Sequence, residues 1–461
     1  MFKRVKKEMR FSAWLHRSYH QGSSLGHFIK HRVTPLGWTL LGSCLFTGLF
    51  ATDMQRSQAY QLFSILLALV LISFIWTWFR RAKLEAKRLV PTYVTAKEPF
   101  HYRIQLTNLS KRAVRGLGLM ELGPDPRPSL ERFHYEREPW EEERNGFDRR
   151  MAFYRWRWLC DAAEHFSEKR VAELAVLEGS GEVQVDAQMT LERRGVVMLK
   201  DLRAVLPDPI GCFQRLRRIS GGSDKVIVLP KRYRIPEQIF EGSSRNQVGG
   251  ESASNQSGQS AEYMSVRDYR PGDPLRHIHW KGWARTGKPA VLEFEEAFFP
   301  RYGLILDTRA SVAESALFEI AVSIAASFAS KLETRESLID LMFLEDRAVH
   351  LAAGRGEARS DELLETLAGV ESSVVTDYSK LERLVGRYSD QLSSAYFTMA
   401  GWDAERAGLC AKLMRTGLDL TIFPVFKNQA SSKQQLAEFP TAARVIPIHL
   451  TSVQLDLQKA I

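Results

Sequence analysis

The sequence predicts a mixed α/β and β fold with three parts: an N-terminal two-helix transmembrane hairpin, a middle β-sandwich, and a doubly wound α/β domain. Two uncharged apolar stretches lie within residues 36–79. Residues 91–235 contain runs that alternate between apolar and polar side chains, and residues 298–461 alternate between apolar strands and amphipathic helices. The chain of 461 residues has room for an anchor and two domains, because single cores rarely exceed about 250 to 300 residues.

The hairpin is predicted from residues 36–52 and 60–79, which contain no charged side chain. As a helix, the second stretch spans about 30 Å, one hydrocarbon thickness. The first stretch begins far from the N-terminus and is followed by no small-residue cleavage site, which argues against a cleaved signal peptide. We therefore predict two membrane-spanning helices.

The distribution of charge predicts the orientation of this hairpin. The net charge is +10, but residues 1–90 hold 14 Lys and Arg against three acidic residues, so the rest is close to neutral. Basic residues flank both apolar stretches, including the segment 1–35, whereas the loop 53–59 carries only one, Arg56. The positive-inside rule then places both termini in the cytoplasm. The near-neutral remainder argues against nucleic-acid binding.

The middle domain, residues 91–235, is predicted as antiparallel sheet. Residues 100–107 and 183–192 alternate strictly between apolar and polar side chains, as half-buried strands do. Residues 124–179 are interpreted as an insertion. Within it, Tyr154–Trp158 alternates aromatic and arginine side chains, which favours a strand with an aromatic core face. Such a strand also suits a lipid surface or nucleic acid, and this stays an alternative function.

The C-terminal domain, 298–461, follows a Ser/Gly-rich linker at 242–260. Its nearly all-apolar strands predict a mostly parallel sheet covered by helices on both faces. Helix 403–416 is expected to begin at an N-cap, Asp403, and to end at Gly417. The predicted elements are strands at 301–307, 337–344, 394–400, 418–426 and 444–450, and helices at 312–332, 361–369, 377–388 and 403–416.

Asp307 ends the first of these strands, at the edge where α/β sheets bind ligands. The run Asp307-Thr-Arg-Ala-Ser311 resembles the metal-binding loop of von Willebrand factor A-type domains, whose Asp and two Ser hold Mg²⁺. That resemblance implies a von Willebrand A-like domain with Asp307, Ser311 and Asp403 as ligands. Arg309 replaces one Ser, and a guanidinium donates hydrogen bonds but has no lone pair. We therefore predict a degenerate site without metal, in which an Asp–Arg pair replaces the ion.

Residues 262–296 form a segment with balanced charges, which indicates internal ion pairs. We expect His277 and His279 to share one face of a strand, where they could ligate a metal, and Trp280 and Trp283 to lie in a core. The segment resembles the bacterial family labelled domain of unknown function fifty-eight. The residues that carry this resemblance in the predicted site are Glu262, Arg267, Tyr269, Pro271, Gly272, Asp273, Arg276, Trp280 and Arg285. Upstream, Arg194-Gly195 and Asp208–Phe213 also match.

The resemblance implies a protein of the bacterial inner membrane that is associated with MoxR-type AAA+ ATPases. We expect an adaptor that works with such an ATPase in assembly or activation of a client protein. The chain has no GxxxxGK[ST] loop, GxSxG elbow or HExxH motif, so no enzyme class is indicated. The alternative from another class is a hydrolase that uses the carboxylates and histidines of 262–307. No cofactor is predicted.

Overall fold

The computed structural model describes residues 2–50, 57–139, 141–164, 166, 170–240, 263–273, 275–294, 300–333, 338–345, 347–353, 357–373 and 377–459. The predicted linker at 242–260 and Glu262 lie outside the described residues. The chain divides into two compact units. The first comprises Met1–Tyr233, Thr308–Ala326 and Asp361–Val375, and the second comprises Arg234–Asp307, Ser327–Ser360 and Thr376–Ile461.

The first unit begins with three helices, α1 (Phe2–Lys30), α2 (Pro35–Phe50) and α3 (Ser57–Phe79). Helices α2 and α3 touch, and a Cβ atom added to Gly48 would lie 3.0 Å from the Phe63 ring. The 22 residues Gln58–Phe79 are long and apolar enough to cross a membrane, and their most apolar window is only 6 % buried. Helix α2 is apolar but shorter, at 16 residues.

Three sheets form the β-rich body of the first unit. Their strand orders are β10-β1-β3-β6, β2-β11-β7 and β5-β4-β8-β9, and one apolar core joins residues of all three. The strands are β1 (Leu84–Leu89), β2 (Tyr93–Thr95), β3 (Pro99–Asn108), β4 (Val114–Leu122), β5 (Arg170–Leu177), β6 (Glu182–Thr190), β7 (Gly195–Leu199), β8 (Asp201–Pro207), β9 (Gln214–Arg218), β10 (Ser220–Gly221) and β11 (Asp224–Leu229).

The two strands with the clearest alternation are confirmed. They are β3 and β6, which pair with each other antiparallel. Tyr102, Ile104 and Leu106 of β3 are buried, as the pattern predicts, while His101 and Arg103 between them are exposed.

The strand predicted at Tyr154–Trp158 is wrong, because these residues lie in a helix. Helices α4 (Leu130–Tyr135), α5 (Gly146–Met151) and α6 (Phe153–Ala163) follow β4. Trp156 and Leu159, three positions apart on α6, are buried in a cluster with Phe133 and Leu15 of α1. Helical spacing therefore buries one face here. Residues 170–177, which the sequence assigns to the insertion, form β5 and pair with β4.

The second unit contains a seven-stranded sheet and a separate two-stranded ribbon. The sheet has the order β16-β15-β14-β17-β18-β19, with β20 also on β18. Its pairs are parallel except for β16 on β15, which is antiparallel. The strands are β12 (Tyr263–Asp268), β13 (Ala290–Phe294), β14 (Arg301–Leu306), β15 (Leu338–Leu344), β16 (Ala348–Ala353), β17 (Ser394–Ala400), β18 (Leu420–Phe426), β19 (Arg444–Val445) and β20 (Ile448–His449).

Helices cover both faces of this sheet. Phe397 of β17 packs with Leu381 and Leu409 on one face, whereas its neighbour Tyr396 stacks on Phe328, with ring centroids 4.7 Å apart. Consecutive strand residues point to opposite faces, so the helices that carry these partners flank the sheet. The helices from residue 280 onward are α7 (Trp280–Thr286), α8 (Ser315–Glu333), α9 (Glu357–Gly369), α10 (Tyr378–Tyr388), α11 (Ala404–Arg415), α12 (Gln429–Glu438) and α13 (Val453–Gln458).

A second stretch, Val312–Leu332, is also long and apolar enough to cross a membrane. It is 56 % buried over its most apolar window, and it contains most of α8, whose Phe328 packs on the sheet. A buried core helix passes the same test of length and composition as a membrane span, so this stretch is accounted for by packing.

Candidate functional site

The predicted site is built around Asp307, which directly follows β14 at the carboxyl end of the parallel sheet. Its side chain is fully buried, and its backbone N–H donates to the carbonyl of Thr398 in β17 at 2.9 Å. A buried carboxylate is costly unless it is paired and hydrogen-bonded. The pairing of Asp307 therefore determines what this position can do.

Arg406 supplies that pairing and connects the two predicted carboxylates. Its Nε donates to Asp307 Oδ2 at 2.7 Å and its Nη1 donates to Asp403 Oδ2 at 3.0 Å. Tyr378 Oη donates to the same oxygen of Asp307 at 3.0 Å. Asp403 is the N-cap of α11, as predicted, and its Oδ1 accepts from the Arg406 backbone N–H at 3.0 Å.

The electrostatics of this cluster fix the charge on Arg406. Burial opposes the charged guanidinium, but the negative charge of Asp307 and the further contributions of Tyr378 and Asp403 outweigh it and raise the pKa of Arg406. Burial and the charge of Asp307 also raise the pKa of the Cys410 thiol, which disfavours a reactive thiolate. The site is thus a buried pair of Arg406 and Asp307.

These side chains do not fit a Mg²⁺ ion. Magnesium requires oxygen ligands in an octahedral arrangement, whereas a guanidinium lies between the two carboxylates. Ser311 is engaged elsewhere: its Oγ and its backbone N–H both contact Glu314 Oε2 at 2.9 Å, in a capping box. Within the described residues, no group of three His, Cys, Asp or Glu side chains is placed to hold a metal.

The structure assigns the cation to a residue that the sequence analysis did not name. The guanidinium between Asp307 and Asp403 is that of Arg406, three residues after the predicted N-cap. The backbone of Arg309 forms a parallel bridge with Ser373. A basic residue in the first turn of α11, next to an acidic N-cap, is the sequence signal from which this pairing could have been predicted.

The segment that follows the predicted linker forms a small ribbon and a short helix. Strands β12 and β13 pair antiparallel. The Arg267 guanidinium donates hydrogen bonds to both carboxylate oxygens of Asp273, at 2.7 and 2.8 Å. That contact, with a further hydrogen bond from the Arg270 N–H, lowers the pKa of Asp273 to about 2. Between them, Pro271 and Gly272 are exposed, and Gly272 has a φ of 110°, which favours glycine.

Two predictions for this segment are wrong. His277 lies in a 3-10 turn and His279 is the N-cap of α7, so they do not share a strand face. Trp280 and Trp283 are not core residues: they are 61 % and 36 % exposed and stack on each other with centroids 5.5 Å apart. Residues at i and i+3 share a helix face, and in α7 this face is exposed.

The remaining predicted residues of the segment are placed as follows. The backbone N–H of Tyr269 donates to the carbonyl of Pro289 at 3.0 Å. Arg285 lies in the last turn of α7 and is exposed. Arg276 is part of the 3-10 turn Leu275–His277.

A comparison with protein families matches part of the chain that includes most of this segment. Residues 265–394 match the family described as Protein of unknown function DUF58. The DUF58 match begins inside β12, contains Asp307 and ends at Ser394, the first residue of β17. Asp403 and Arg406 therefore lie beyond the matched residues.

None of the curated proteins matches the chain. Among solved structures, the CARDB domain of the PF1109 protein from Pyrococcus furiosus is 10 % identical, with a TM-score of 0.15 over 31 % of this chain and 91 % of that chain. The Pseudomonas fluorescens alkylpurine DNA glycosylase AlkC is 8 % identical, with a TM-score of 0.18 over 36 % and 38 %. The superoxide reductase of Ignicoccus hospitalis is 15 % identical, with a TM-score of 0.14 over 31 % and 82 %.

The upstream motif Asp208–Phe213 forms a turn that holds α2. The Asp208 carboxylate accepts from the backbone N–H groups of Gly211, Cys212 (2.9 Å) and Phe213 (3.3 Å). Thr34 Oγ1 donates to the carbonyls of Gly211 (2.5 Å) and Cys212 (3.0 Å). This turn thus ties the start of α2 to the β-rich body.

A Ser–His–Asp arrangement that was not predicted from the sequence occurs in the second unit. His449 contacts Ser432 Oγ through Nε2 at 3.0 Å and Asp456 Oδ2 through Nδ1 at 2.8 Å. Ser432 is only 3 % exposed, and its hydroxyl donates to the carbonyl of Gln429 at 2.9 Å. The hydroxyl is therefore shielded from a substrate, and the network connects β20 with α12 and α13.

Proposed function

We propose that the chain is a membrane-tethered adaptor of the cytoplasmic face of a bacterial inner membrane. In this proposal α2 and α3 form the transmembrane hairpin, and the second unit, a von Willebrand A-like domain, binds a MoxR-type AAA+ ATPase during assembly or activation of a client protein. The support for the tether is the exposed apolar surface of α3, of which Leu71, Ile75 and Trp78 are about half exposed or more.

One observation carries the binding role: the stacked, exposed pair Trp280 and Trp283 on α7. Exposed apolar patches mark interaction sites, and tryptophan is enriched among the residues that dominate binding energy. Leu275, which is 67 % exposed, lies just before this helix. The patch falls inside the DUF58 match, and basic residues of α7, Lys281 and Arg285, flank it.

The alternatives find less support in the geometry. A hydrolase using residues 262–307 would need a free carboxylate and a nucleophile, but Asp273 is gripped by Arg267 and Asp307 by Arg406. The hypothesis that Tyr154–Trp158 binds nucleic acid or a lipid surface required a strand with its arginines on one exposed face. In α6, Arg155 is buried against Glu141 instead.

The adaptor proposal is tested by affinity purification from solubilised membranes. Wild type is expected to recover an AAA+ ATPase, and the double variant Trp280→Ala/Trp283→Ala should recover at least tenfold less. Hot-spot residues that become buried in a complex contribute about 2 kcal/mol or more to binding. Leu455→Ala, a 57 % exposed apolar residue on α13, is the matched control and should behave as wild type. Recovery of no AAA+ ATPase by a folded wild type, or equal recovery by the double variant, contradicts the proposal.

A further inference from the structure

A row of arginines lies on β9, the edge strand of the sheet β5-β4-β8-β9. Strand side chains alternate between faces, so Arg215 and Arg217 share one face while Leu216 lies on the other. Leu216 packs there against Met120 and Val205. The apolar packing of Leu216 therefore fixes the direction in which the two arginines project.

The start of this strand is attached to the end of α3. Arg215 donates to the carbonyls of Thr77 (3.4 Å) and Trp78, in the last turn of α3. Phe213, just before β9, packs its ring edge-on against Phe74 with centroids 6.1 Å apart. The arginine face of β9 therefore lies where the apolar helix ends.

The arginines of this face have no salt-bridge partner among the residues that the structure describes. No carboxylate lies within salt-bridge distance of Arg81, Arg215 or Arg217 there, whereas Arg203 and Arg218 flank Asp201 at 2.7 and 3.9 Å. Desolvation and the charges of Arg217, Arg32 and Arg81 lower the pKa of Arg215, so these cations repel one another.

One guanidinium atom in this group lacks a partner. The Nε of Arg217 is buried and makes no hydrogen bond within the described residues. A buried donor left unpaired costs free energy comparable to a lost hydrogen bond, and more when it is charged. A phosphate bound between Arg215 and Arg217 would offset the repulsion between these two cations.

We propose that Arg81, Arg215 and Arg217 bind the phosphate group of an anionic phospholipid at the end of α3. The proposal rests on the membrane tether of the proposed function. Guanidinium groups match phosphate with two parallel hydrogen bonds. Trp76, Trp78 and Phe79 are exposed in the same last turn of α3, and aromatic side chains of this kind mark the headgroup level of a membrane.

The site is tested by native mass spectrometry of the full chain in detergent, with added phosphatidylglycerol or phosphatidylcholine. Phosphatidylglycerol should be retained preferentially. Arg81→Gln/Arg217→Gln should weaken its retention roughly 30-fold, about 2 kcal/mol at 1.4 kcal/mol per tenfold change. The control Arg103→Gln/Arg218→Gln removes two charges as well, one of them from the other face of β9, and should stay within about twofold of wild type.

Three outcomes would overturn the proposal: equal retention of both lipids, an equal loss in the control, or displacement of phosphatidylglycerol by equimolar inorganic phosphate, which would indicate a free-anion site. Arg81 is exposed, so Arg81→Gln alone serves if the double variant does not fold, and it should weaken retention about fivefold. Flotation with neutral phosphatidylcholine vesicles separates the two proposals. A chain that floats but shows no lipid preference contradicts only the proposed phospholipid site. A chain that does not float also contradicts the proposed membrane tether.

Discussion

At the scale of single residues, Arg406 decides the character of the site at the end of β14. Its guanidinium contacts a fully buried carboxylate, that of Asp307, and a partly exposed one, that of Asp403. Removal of one partner of a buried ion pair leaves an uncompensated charge, whereas replacement of both by apolar residues is often nearly neutral. Removal of either partner of the pair is therefore destabilising, whatever net contribution the intact pair makes to the free energy of unfolding.

Arg406→Ala should lower the free energy of unfolding by about 3–5 kcal/mol, because Asp307 then stays buried without a cation. The measurement is chemical denaturation of the detergent-solubilised chain, followed by circular dichroism. Arg415→Ala, an exposed arginine of the same helix, should change it by no more than about 0.5 kcal/mol. Asp307→Asn/Arg406→Met should recover most of the loss. Equal instability of the double variant would show that packing, not charge, is responsible.

The carboxyl of Asp273 gives a second prediction at this scale, concerning pH. Its folded pKa of about 2 lies below its ordinary value of 3.8. The pair with Arg267 therefore stabilises the ribbon at pH values above 3.8, and this stabilisation is lost as the pH falls towards 2. Carbon-13 NMR of labelled aspartate carboxyls should show Asp273 titrating near 2 in wild type and nearer to 3.8 in Arg267→Gln. Arg285→Gln is the control. An unchanged titration in Arg267→Gln contradicts the assignment.

The sequence predicted part of this chemistry and missed the rest for a physical reason. Asp307 and Asp403 were predicted because a strand end and a helix N-cap are local features of the chain. Arg406 was missed because an arginine in the first turn of a helix is ordinary until the fold brings a buried carboxylate to it. Trp280 and Trp283 were assigned to a core from their hydrophobicity, yet burial depends on what packs against a helix.

At the scale of elements, helix α2 lies close against the backbone of the turn Asp208–Phe213. A Cβ atom on Gly37 would lie 2.2 Å from the carbonyl oxygen of Cys212, a distance that only glycine avoids. Thr34, one turn earlier, caps the Gly37 N–H at 3.0 Å. The start of α2 therefore cannot accept a side chain at this position without moving away from the turn.

Gly37→Ala should lower the free energy of unfolding by about 1–3 kcal/mol or more, as overpacking does, and should expose the turn to limited proteolysis. Gly42→Ala is the matched control on the same helix, since a Cβ atom there meets nothing within 4 Å. It should be neutral or slightly stabilising, because alanine favours helix over glycine. Equal behaviour of the two variants would mean that α2 does not need the close approach.

The elements themselves followed the sequence wherever a period was long and clear. Strands β3 and β6 and helices α8 and α11 lie where alternation, helical spacing and caps predict them. The segment at Tyr154–Trp158 shows the limit: five residues of strict alternation fit a strand, but the longer run up to Ala163 has the helical spacing that buries Trp156 and Leu159. The antiparallel strand β16 and the short helices α12 and α13 carried too little pattern to be predicted.

At the scale of the whole molecule, the charge bias around the two apolar helices predicts the topology. If both termini face the cytoplasm, a cysteine at Met54→Cys should react with a membrane-impermeant maleimide in intact cells. Lys459→Cys should react only after permeabilisation. The parent chain with its four native cysteines is the control for background labelling. Labelling of Lys459→Cys in intact cells would reverse the predicted orientation, and labelling of neither site would argue against a crossing loop.

The guanidinium of Arg406 has a consequence for how such a chain responds to its surroundings. A loop that binds a metal ion loses it to a chelator and binds it again when the salt is added, so its affinity for a ligand depends on the ion concentration. Here the positive charge is carried by the side chain of Arg406 and is covalently attached to the chain. The contacts of Arg406 with Asp307 and Asp403 need no added ion, so EDTA should leave the folded domain unchanged.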